Sequence, residues 1–211
     1  MIPPFPVYLF DVDGTLLDSA ADICAAVRDT LADSPHASIG DDFLRRYIGL
    51  HLVDLYQELF PSYTAKQHDE LVETYRRIYP ERQHRATTVY PGVAEMLAAL
   101  GGRKSTATTK RTWMVKGVLE QFGLAQYFDH LQGTDGFPAK PAPDVIFTSL
   151  NALGAKPEEC LLVGDAAADM EAGRRAGVKT CAVRYGYGCE DDMARFSPDY
   201  WISDLRELSA G

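Results

Sequence analysis

The sequence has little positive charge, no closely paired cysteines and no long apolar run. Its 211 residues include 21 lysines and arginines against 30 aspartates and glutamates, which gives a formal net charge of −9. This balance argues against a nucleic-acid-binding surface, which needs an excess of basic side chains. No apolar stretch is long enough to span a bilayer, and the opening MIPPFPVYLF lacks the pattern of a signal peptide. We therefore expect a protein with no nucleic-acid or membrane partner.

The four cysteines, Cys24, Cys160, Cys181 and Cys189, form no CxxC pair and no spacing typical of a zinc site. Cys160 and Cys181 each border an apolar run, which favours a buried packing role. Such cysteine usage fits a reducing compartment, so we expect a cytoplasmic protein. The length allows one large domain or two modest ones.

One apolar run ends abruptly in two carboxylates. Val7-Tyr8-Leu9-Phe10 suits a strand buried on both faces, and Asp11 and Asp13 follow it directly. Buried carboxylates are costly unless they are compensated, and a bound cation is a common compensation. Because open α/β sheets bind ligands at the carboxyl ends of their strands, this position favours a functional site. The alternative is ordinary turn chemistry at Asp13-Gly14.

A second apolar run, Cys160 to Gly164, is also followed by carboxylates, Asp165 and Asp169. Asp165 stands in a tight loop where the sequence suggests no structural role, whereas Asp169 stands near the start of a predicted helix and is a candidate N-cap. Hard cations such as Mg²⁺ prefer oxygen ligands. The carboxylates of Asp11 and Asp165, with the backbone carbonyl of Asp13, are candidate ligands for one such ion.

Two further segments carry groups that suit a phosphate ligand. Pro141 and Pro143 stiffen the loop that contains Lys140, and a lysine held near carboxylates can orient a phosphoryl group. Thr108, in a strand predicted over residues 105–109, could donate a hydrogen bond to a phosphate oxygen. Each also has an ordinary interpretation, as a surface lysine and as a helix-capping threonine.

Secondary-structure patterns divide the chain into two parts. Helix patterns alone occur from residue 19 to about 85, and they predict helices over 19–33, 41–48, 52–60 and 65–79. Ser19 and Asp22 match a capping box for the first of these. Strands then alternate with helices, including a short strand predicted at 128–132. The fold class is α/β, a doubly wound, Rossmann-like parallel sheet. Its core domain comprises residues 1–16 and 86–211, with an inserted all-helical cap domain at 17–85.

The motifs and their order resemble those of the haloacid dehalogenase superfamily. DVDGT from Asp11 to Thr15 resembles its first motif, Thr108 its second, Lys140 in KPAP its third, and GDAAAD from Gly164 to Asp169 its fourth. DGTLLDSAADI, followed by an IGL loop, is most similar to the phosphoglycolate-phosphatase-like branch, whose cap is small and α-helical. Thr109 departs from that branch, which usually has Asn at this position.

The resemblance implies a Mg²⁺-dependent phosphatase that hydrolyses a small phosphomonoester, phosphoglycolate-like or a sugar phosphate, through an aspartyl-phosphate intermediate. It assigns catalytic roles to Asp11 as nucleophile, Asp13 as general acid and base, and Lys140 and Thr108 as ligands of the transferring oxygens. The implied metal ligands are Asp11, Asp13, Asp165 and Asp169. The expected substrate contacts are Gly14, Thr15, Thr109, Lys110, Arg45 and Gly49, with Arg46 and His51 as further candidates near the cap loop.

Three other functions remain open from the sequence. A 2-haloacid dehalogenase also uses an aspartate nucleophile, but it needs neither Mg²⁺ nor a second acid at the position of Asp13. A sugar-phosphate mutase of this superfamily has a cap-side histidine after the first motif, where this chain has Ala21, Asp22 and Ile23. A phosphate-ester-binding module would keep the fold with weak catalysis. The physiological substrate is not identified, and we expect a monomer or homodimer.

Overall fold

The computed structural model describes residues 2–209. The strands, in chain order, are β1 (Val7–Phe10), β2 (Leu17–Asp18), β3 (Thr88–Val89), β4 (Arg103–Thr106), β5 (Cys160–Gly164), β6 (Lys179–Val183) and β7 (Tyr200–Ile202). The α-helices are α1 (Ala20–Thr30), α2 (Asp41–Arg45), α3 (Leu52–Leu59), α4 (Ala65–Glu81), α5 (Val93–Ala99), α6 (Thr112–Gln121), α7 (Asp144–Leu153), α8 (Ala167–Ala176) and α9 (Glu190–Ala194). Short 3₁₀ helices span Ala125–Tyr127, Pro157–Glu159 and Leu205–Leu208.

Five strands form a parallel sheet in the order β4-β1-β5-β6-β7. β1 lies between β4 and β5, and Phe10 at its end is paired with Thr106 on one side and Val163 on the other. This register brings the loops that follow the three strands to one edge of the sheet. The predicted α/β fold with a parallel sheet is therefore confirmed.

The two faces of the sheet pack against different helices. Tyr8 and Phe10 belong to an apolar cluster with residues of α5 and α6, whereas Val7 and Leu9 belong to a cluster with residues of α7 and α8. Successive side chains of a strand point to opposite faces. β1 is therefore buried along its whole length, which explains why its sequence is a continuous apolar run.

The segment from residue 20 to 81 contains α1 to α4 and no strand, and its helices bury an apolar cluster of their own. Leu55, Tyr56 and Tyr79 are fully or almost fully buried in this cluster. Met114 of α6 also belongs to it, so the helical segment packs directly on the core. The all-helical character predicted for this segment agrees with these elements.

The start of α1 differs from the prediction. Ser19 precedes the helix but makes no side-chain capping hydrogen bond. Asp22 accepts hydrogen bonds from the Ala86 amide at 2.9 Å and from the Thr87 hydroxyl at 2.8 Å. The predicted capping box is wrong because both side chains bond to groups outside the helix. Asp22 instead ties α1 to the segment where the chain returns to the core.

Two short strands connect the helical segment to the sheet. β2 and β3 pair antiparallel, with Leu17 opposite Val89. The sequence did not predict them because two residues are too few to show the alternation of a strand. The strand predicted over 105–109 is displaced to Arg103–Thr106. The strand predicted at 128–132 is wrong, since that segment makes a single bridge between Ser105 and His130.

The cysteines and the helix lengths agree with the sequence analysis. Cys160 and Cys181 are buried and unpaired, as predicted, and Cys24 is also buried. Within residues 2–209, no helix is both long enough and apolar enough to cross a bilayer.

Candidate active site

The carboxyl edge of the sheet brings three buried carboxylates together. The Asp11 amide donates a hydrogen bond to the Val163 carbonyl at 2.9 Å, which aligns the loops after β1 and β5. One oxygen each of Asp11, Asp165 and Asp169 lies within 4.8 Å of the others. All three side chains belong to residues that are at most 2% exposed. The structure thus brings Asp11 next to Asp165 and Asp169, which lie more than 150 positions further along the sequence.

Lys140 supplies positive charge to this cluster. Its ammonium lies 3.0 Å from Asp11 Oδ1, donates to the Ala107 carbonyl at 2.9 Å and forms an ion pair with Asp169. Burial opposes the charged form of Lys140, but the carboxylates of Asp11 and Asp169 outweigh it and raise its pKa. Lys140 is therefore a buried, protonated lysine rather than a surface one.

The carboxylate cluster fits a hard divalent cation. Burial raises the pKa of Asp11 to about 6 despite the opposing charge of Lys140, and Asp169 and Asp13 add to the increase. Burial, with the charges of Asp11 and Asp169, raises the pKa of Asp165 to about 8. Asp11 Oδ1 has no hydrogen-bond partner among the described residues, and its contact with Lys140 is an ion pair. An orphaned carboxylate oxygen within an all-oxygen donor set suits Mg²⁺.

The Asp13 side chain is directed away from this cluster. Its Oδ1 accepts from the Ser19 hydroxyl at 2.5 Å, and its Oδ2 accepts from the Lys110 ammonium at 2.5 Å. Metal coordination by Asp13 would therefore have to use its backbone carbonyl. Lys110, predicted to contact substrate, is committed to Asp13, and its ammonium also lies 4.6 Å from the ring centroid of Tyr79.

Gly14 and Thr15 hold Asp165 in position. The Thr15 hydroxyl donates to Asp165 Oδ1 at 2.9 Å. Gly14 has φ +86°, and a Cβ at this position would lie 2.2 Å from Asp165 Oδ2. A glycine is required there both for its conformation and for the close approach of Asp165. The structure therefore gives these two predicted substrate contacts a supporting role next to the carboxylate cluster.

The loop after β6 also belongs to the site, although its residues were not predicted from the sequence to lie there. The Tyr187 amide donates to Asp165 Oδ2 at 2.8 Å, and the Tyr187 hydroxyl accepts from the Ser19 and Ala20 amides at 2.7 and 3.0 Å. This one residue links the acidic cluster to the start of α1. The sequence does carry a signal for this role. Gly186-Tyr187-Gly188 follows the strand β6, and a loop after a parallel strand lies at the carboxyl edge of the sheet, where the acidic cluster is.

Asp169 and Thr108 occupy supporting positions. Asp169 Oδ2 accepts from the Ala166 amide at 3.0 Å, while its Oδ1 accepts from Lys140. Ala166 is the N-cap of α8, so the interpretation of Asp169 as an N-cap is wrong. Thr108 is 1% exposed and follows β4, the strand beside β1. Its hydroxyl accepts from the Lys110 amide at 3.4 Å.

A cavity of about 80 Å³, called here the inner cavity, lies between Asp13 and the helical segment. The predicted substrate contacts Gly49, Thr109 and Lys110 line it, as does the further candidate His51. Arg76 of α4 and Arg111 before α6 also line it, although the sequence analysis did not select them. A larger outer cavity of about 390 Å³ adjoins it and shares His51, Thr109, Arg76 and Arg111.

Arg45 and Arg46 lie in a different groove. They line a cavity of about 570 Å³ together with Ala166 and Arg195. Neither side chain lines the inner or the outer cavity. The structure therefore does not bring these two arginines to the cavity that contains Asp13.

Comparisons with known proteins agree with this architecture. The pattern of the family described as haloacid dehalogenase-like hydrolase matches residues 8–183. A protein of Aquifex aeolicus named phosphoglycolate phosphatase is 37% identical over 206 residues, which cover 96% of this chain and 94% of that protein. A protein of Halalkalibacterium halodurans named pyrophosphatase PpaX is 34% identical, with 95% and 93% covered. A solved haloacid dehalogenase-like family hydrolase from Streptococcus pneumoniae superposes with a TM-score of 0.86 at 26% identity, over 98% of this chain and 97% of that one. The chain belongs to the haloacid dehalogenase-like hydrolase family.

Proposed function

We propose that the protein is a Mg²⁺-dependent phosphatase that hydrolyses a small phosphomonoester, either phosphoglycolate-like or a sugar phosphate. One observation carries this proposal: the buried Asp11 carboxylate shares a cluster with Asp165 and Asp169 and lies beside Lys140. Relatives named phosphoglycolate phosphatase and pyrophosphatase, each more than 30% identical, support phosphoryl transfer as the reaction class.

Asp11 is placed to act as the nucleophile. Its carboxylate attacks phosphorus, a bond forms between an Asp11 oxygen and phosphorus, and the bond from phosphorus to the leaving oxygen breaks. Asp13 gives a proton to the leaving oxygen and later takes one from the water that hydrolyses the aspartyl phosphate. Because Ser19 and Lys110 both contact the Asp13 carboxylate, this group has one fixed position for both proton transfers.

Charge at the transferring oxygens is balanced by groups around Asp11. A bound Mg²⁺ supplies positive charge that stabilises these oxygens in the transition state. Asp11 and Asp165 would hold the ion, with the Asp13 carbonyl. Lys140 contributes a second positive charge, which Asp169 keeps in place. Thr108, on the adjacent loop, would donate a hydrogen bond to the same phosphoryl group.

We propose that residues 17–85 form a cap over a core made of residues 1–16 and 86–211. The β2–β3 pair is at the two crossings between these parts, which suits a hinge. Closure of the cap would exclude bulk water from the site. The proposal includes a cytoplasmic monomer or homodimer that acts on small molecules.

Phosphate release from phosphoglycolate tests this function. The wild-type protein should release phosphate with Mg²⁺ and lose this activity in EDTA. Asp11→Asn should reduce turnover by about 10³-fold or more, with an unchanged circular dichroism spectrum and thermal midpoint. Asp33→Asn, an exposed aspartate in the helical segment, is the matched control and should keep full activity.

Other outcomes distinguish the alternatives. Near-normal turnover by Asp11→Asn would contradict the role of Asp11 as nucleophile. Halide release from a 2-haloacid in EDTA would favour a dehalogenase. Failure to release phosphate from any ester, with Mg²⁺ or another divalent ion, would favour a binding module.

A further inference from the structure

We infer, building on the proposed phosphatase function, that the leaving group of the substrate carries a second anionic group, a carboxylate or a phosphoryl group, bound by Arg76 and Arg111. Arg76 lies on α4 in the helical segment, and Arg111 immediately precedes α6 in the core. One guanidinium group therefore comes from each side of the inner cavity, and a ligand between them would touch both parts of the protein.

Asp13 identifies the cavity that receives the leaving group. A general acid must lie within hydrogen-bond reach of the oxygen that it protonates. In-line attack by Asp11 places the leaving oxygen on the side of phosphorus opposite to Asp11. Asp13 lines the inner cavity, and Asp11 does not. The non-phosphate part of the substrate therefore extends into the inner cavity.

The charged lining of the inner cavity is mainly cationic. Among its lining residues, Lys110, Arg76 and Arg111 are positive, and Asp13 is the one carboxylate. Asp13 is paired with Lys110, so no carboxylate that lines the inner cavity pairs with the two guanidinium groups. Much of the remaining wall is apolar, which lowers the local dielectric constant and strengthens their attraction for an anion. The apolar lining residues are Ile23, Ile48, Leu50, Leu52, Val72 and Met114.

A carboxylate of the chain already bridges the two arginines. Glu73 Oε1 lies 2.5 Å from Arg76 Nη1 and 4.0 Å from Arg111 Nη2. One carboxylate oxygen can therefore reach both guanidinium groups at once. Glu73 lines the outer cavity but not the inner one, and its side chain is 66% exposed. Because its side chain is largely exposed, Glu73 can turn into solvent when a substrate anion takes its place.

His51 adds a neutral donor to the same wall. Its Nδ1 accepts a hydrogen bond from the Val53 amide at 3.3 Å, so the proton of the neutral ring is on Nε2. Burial lowers the pKa of His51 and favours this neutral form. A carboxylate or phosphoryl oxygen between Arg76 and Arg111 would gain charge-assisted hydrogen bonds, whereas a neutral hydroxyl would leave Glu73 in place.

The test compares two substrates of similar length, phosphoglycolate and 2-hydroxyethyl phosphate, in which a neutral hydroxymethyl group replaces the carboxylate. Wild-type kcat/KM should be at least about tenfold higher for phosphoglycolate, the effect of one charge-assisted hydrogen bond. Arg76→Leu and Arg111→Leu should each lower this ratio by about tenfold, mainly through KM. Pyrophosphate, assayed in parallel, shows whether a second phosphoryl group is accepted in place of the carboxylate.

Two further variants separate binding from a structural role. Glu73→Gln removes the internal competitor and should raise kcat/KM for phosphoglycolate about twofold or more, the effect of a weak exposed ion pair. Arg77→Leu changes an exposed arginine on the same helix and should leave the substrate ratio unchanged. A wild-type ratio near one would overturn the inference. So would equal losses on both substrates in the Arg76 and Arg111 variants, because these residues would then only fasten the cap to the core.

Binding measurements keep this inference separate from the proposed function. If the wild-type protein hydrolyses neither substrate, the proposed phosphatase function fails. Calorimetry of the two esters with the Asp11→Asn variant and Mg²⁺ then still tests whether Arg76 and Arg111 bind the second anion. Tighter binding of phosphoglycolate than of 2-hydroxyethyl phosphate, lost in Asp11→Asn/Arg111→Leu, would support the site. Equal binding of the two esters would overturn it.

Discussion

Replacing Asp165 by Asn should stabilise the metal-free protein at pH 7 and remove most of its response to Mg²⁺. Asp165 is 2% exposed, and burial, with Asp11 and Asp169, raises its pKa from 3.8 to about 8. In the unfolded chain the same carboxyl ionises near its ordinary value. Without a cation, the ionised form of Asp165 is therefore unfavourable in the folded protein near neutral pH.

The structure sets the expected size of the effect. The unfolded chain has lost the Asp165 proton at pH 7, whereas the folded protein keeps it; at about 1.4 kcal/mol for each unit of pKa difference, keeping the carboxyl protonated costs about 4 kcal/mol. The Asn side chain can still accept from Thr15, but its amide group cannot accept from the Tyr187 amide. Leaving the Tyr187 amide without its acceptor costs about 1–3 kcal/mol. The net gain is about 1–3 kcal/mol, or roughly 2–12 °C in the thermal midpoint of a protein of this size.

The gain should vanish in mild acid. Because the pKa of Asp165 is higher in the folded state than in the unfolded state, the folded protein binds more protons between pH 4 and pH 8. Its contribution to stability is full below about pH 4 and decreases as the pH rises towards 8. A pH of 5 is only slightly above the pKa of the unfolded carboxyl, so keeping the proton in the folded state costs only about 1–2 kcal/mol, no more than the lost hydrogen bond. The variant should then be no more stable than the wild type.

Thermal unfolding in EDTA at pH 5 and pH 7, followed by circular dichroism, measures both effects. Mg²⁺ at pH 7 should raise the wild-type midpoint, because a ligand that binds only the folded state stabilises it. The same addition should shift Asp165→Asn much less. A lower midpoint for the variant in EDTA at pH 7, or an equal shift with Mg²⁺ in both proteins, would refute this account of the site.

Three other substitutions test the supports of the site. Ser19→Ala removes a donor to Asp13 and should lower kcat about tenfold with little change in KM, measured by steady-state kinetics; an unchanged kcat would contradict that role. Gly14→Ala places a Cβ against Asp165 at positive φ, so we expect urea unfolding to show a loss of more than about 1 kcal/mol and Mg²⁺ no longer to raise the midpoint. Tyr187→Phe removes the hydroxyl that accepts from the amides before α1 and should cost about 1–3 kcal/mol, whereas Tyr127→Phe, in a 3₁₀ helix away from the site, should be neutral.

The sheet and its acidic loops could be predicted because their signals are local. Val7–Phe10 and Cys160–Gly164 are apolar runs of the kind found in parallel strands, and Asp11 and Asp165 each follow closely. The rule that ligands bind at the carboxyl edge of such sheets then predicts that the two carboxylates meet. The structure places them within one cluster.

The partners of these carboxylates could not be predicted, because they depend on long-range contacts. Lys110 lies 97 positions from Asp13, and Tyr187 lies 22 positions from Asp165. Nothing in the local sequence distinguishes a lysine that binds substrate from one that pairs with Asp13. The role of Lys110 is set by how the loop after β4 lies relative to the loop after β1.

Which side chains line the inner cavity depends on how the helices pack, and the sequence does not show this. The position of Arg45 near the IGL loop in the sequence predicts a substrate contact, yet Arg45 lines a groove with Arg195. Arg76 and Arg111 both line the inner cavity, and Glu73 on α4 lies beside Arg111 at the start of α6. The sequence pattern of α4 predicts its buried face, but it does not predict which core residue lies opposite its polar side chains.

The charges of the site account for the need for both a metal ion and the two cavity arginines. Four carboxylates and two lysines meet there: Asp11, Asp13, Asp165, Asp169, Lys110 and Lys140. When all four carboxylates are ionised, as metal binding requires, the sum is two negative charges, which would repel a phosphate ester in a buried site of low dielectric constant. One divalent cation cancels this charge, but it leaves none to balance a second anion on the substrate. Arg76 and Arg111 provide that balance at the far side of Asp13, so the metal permits binding of the phosphoryl group and the arginines select what is attached to it.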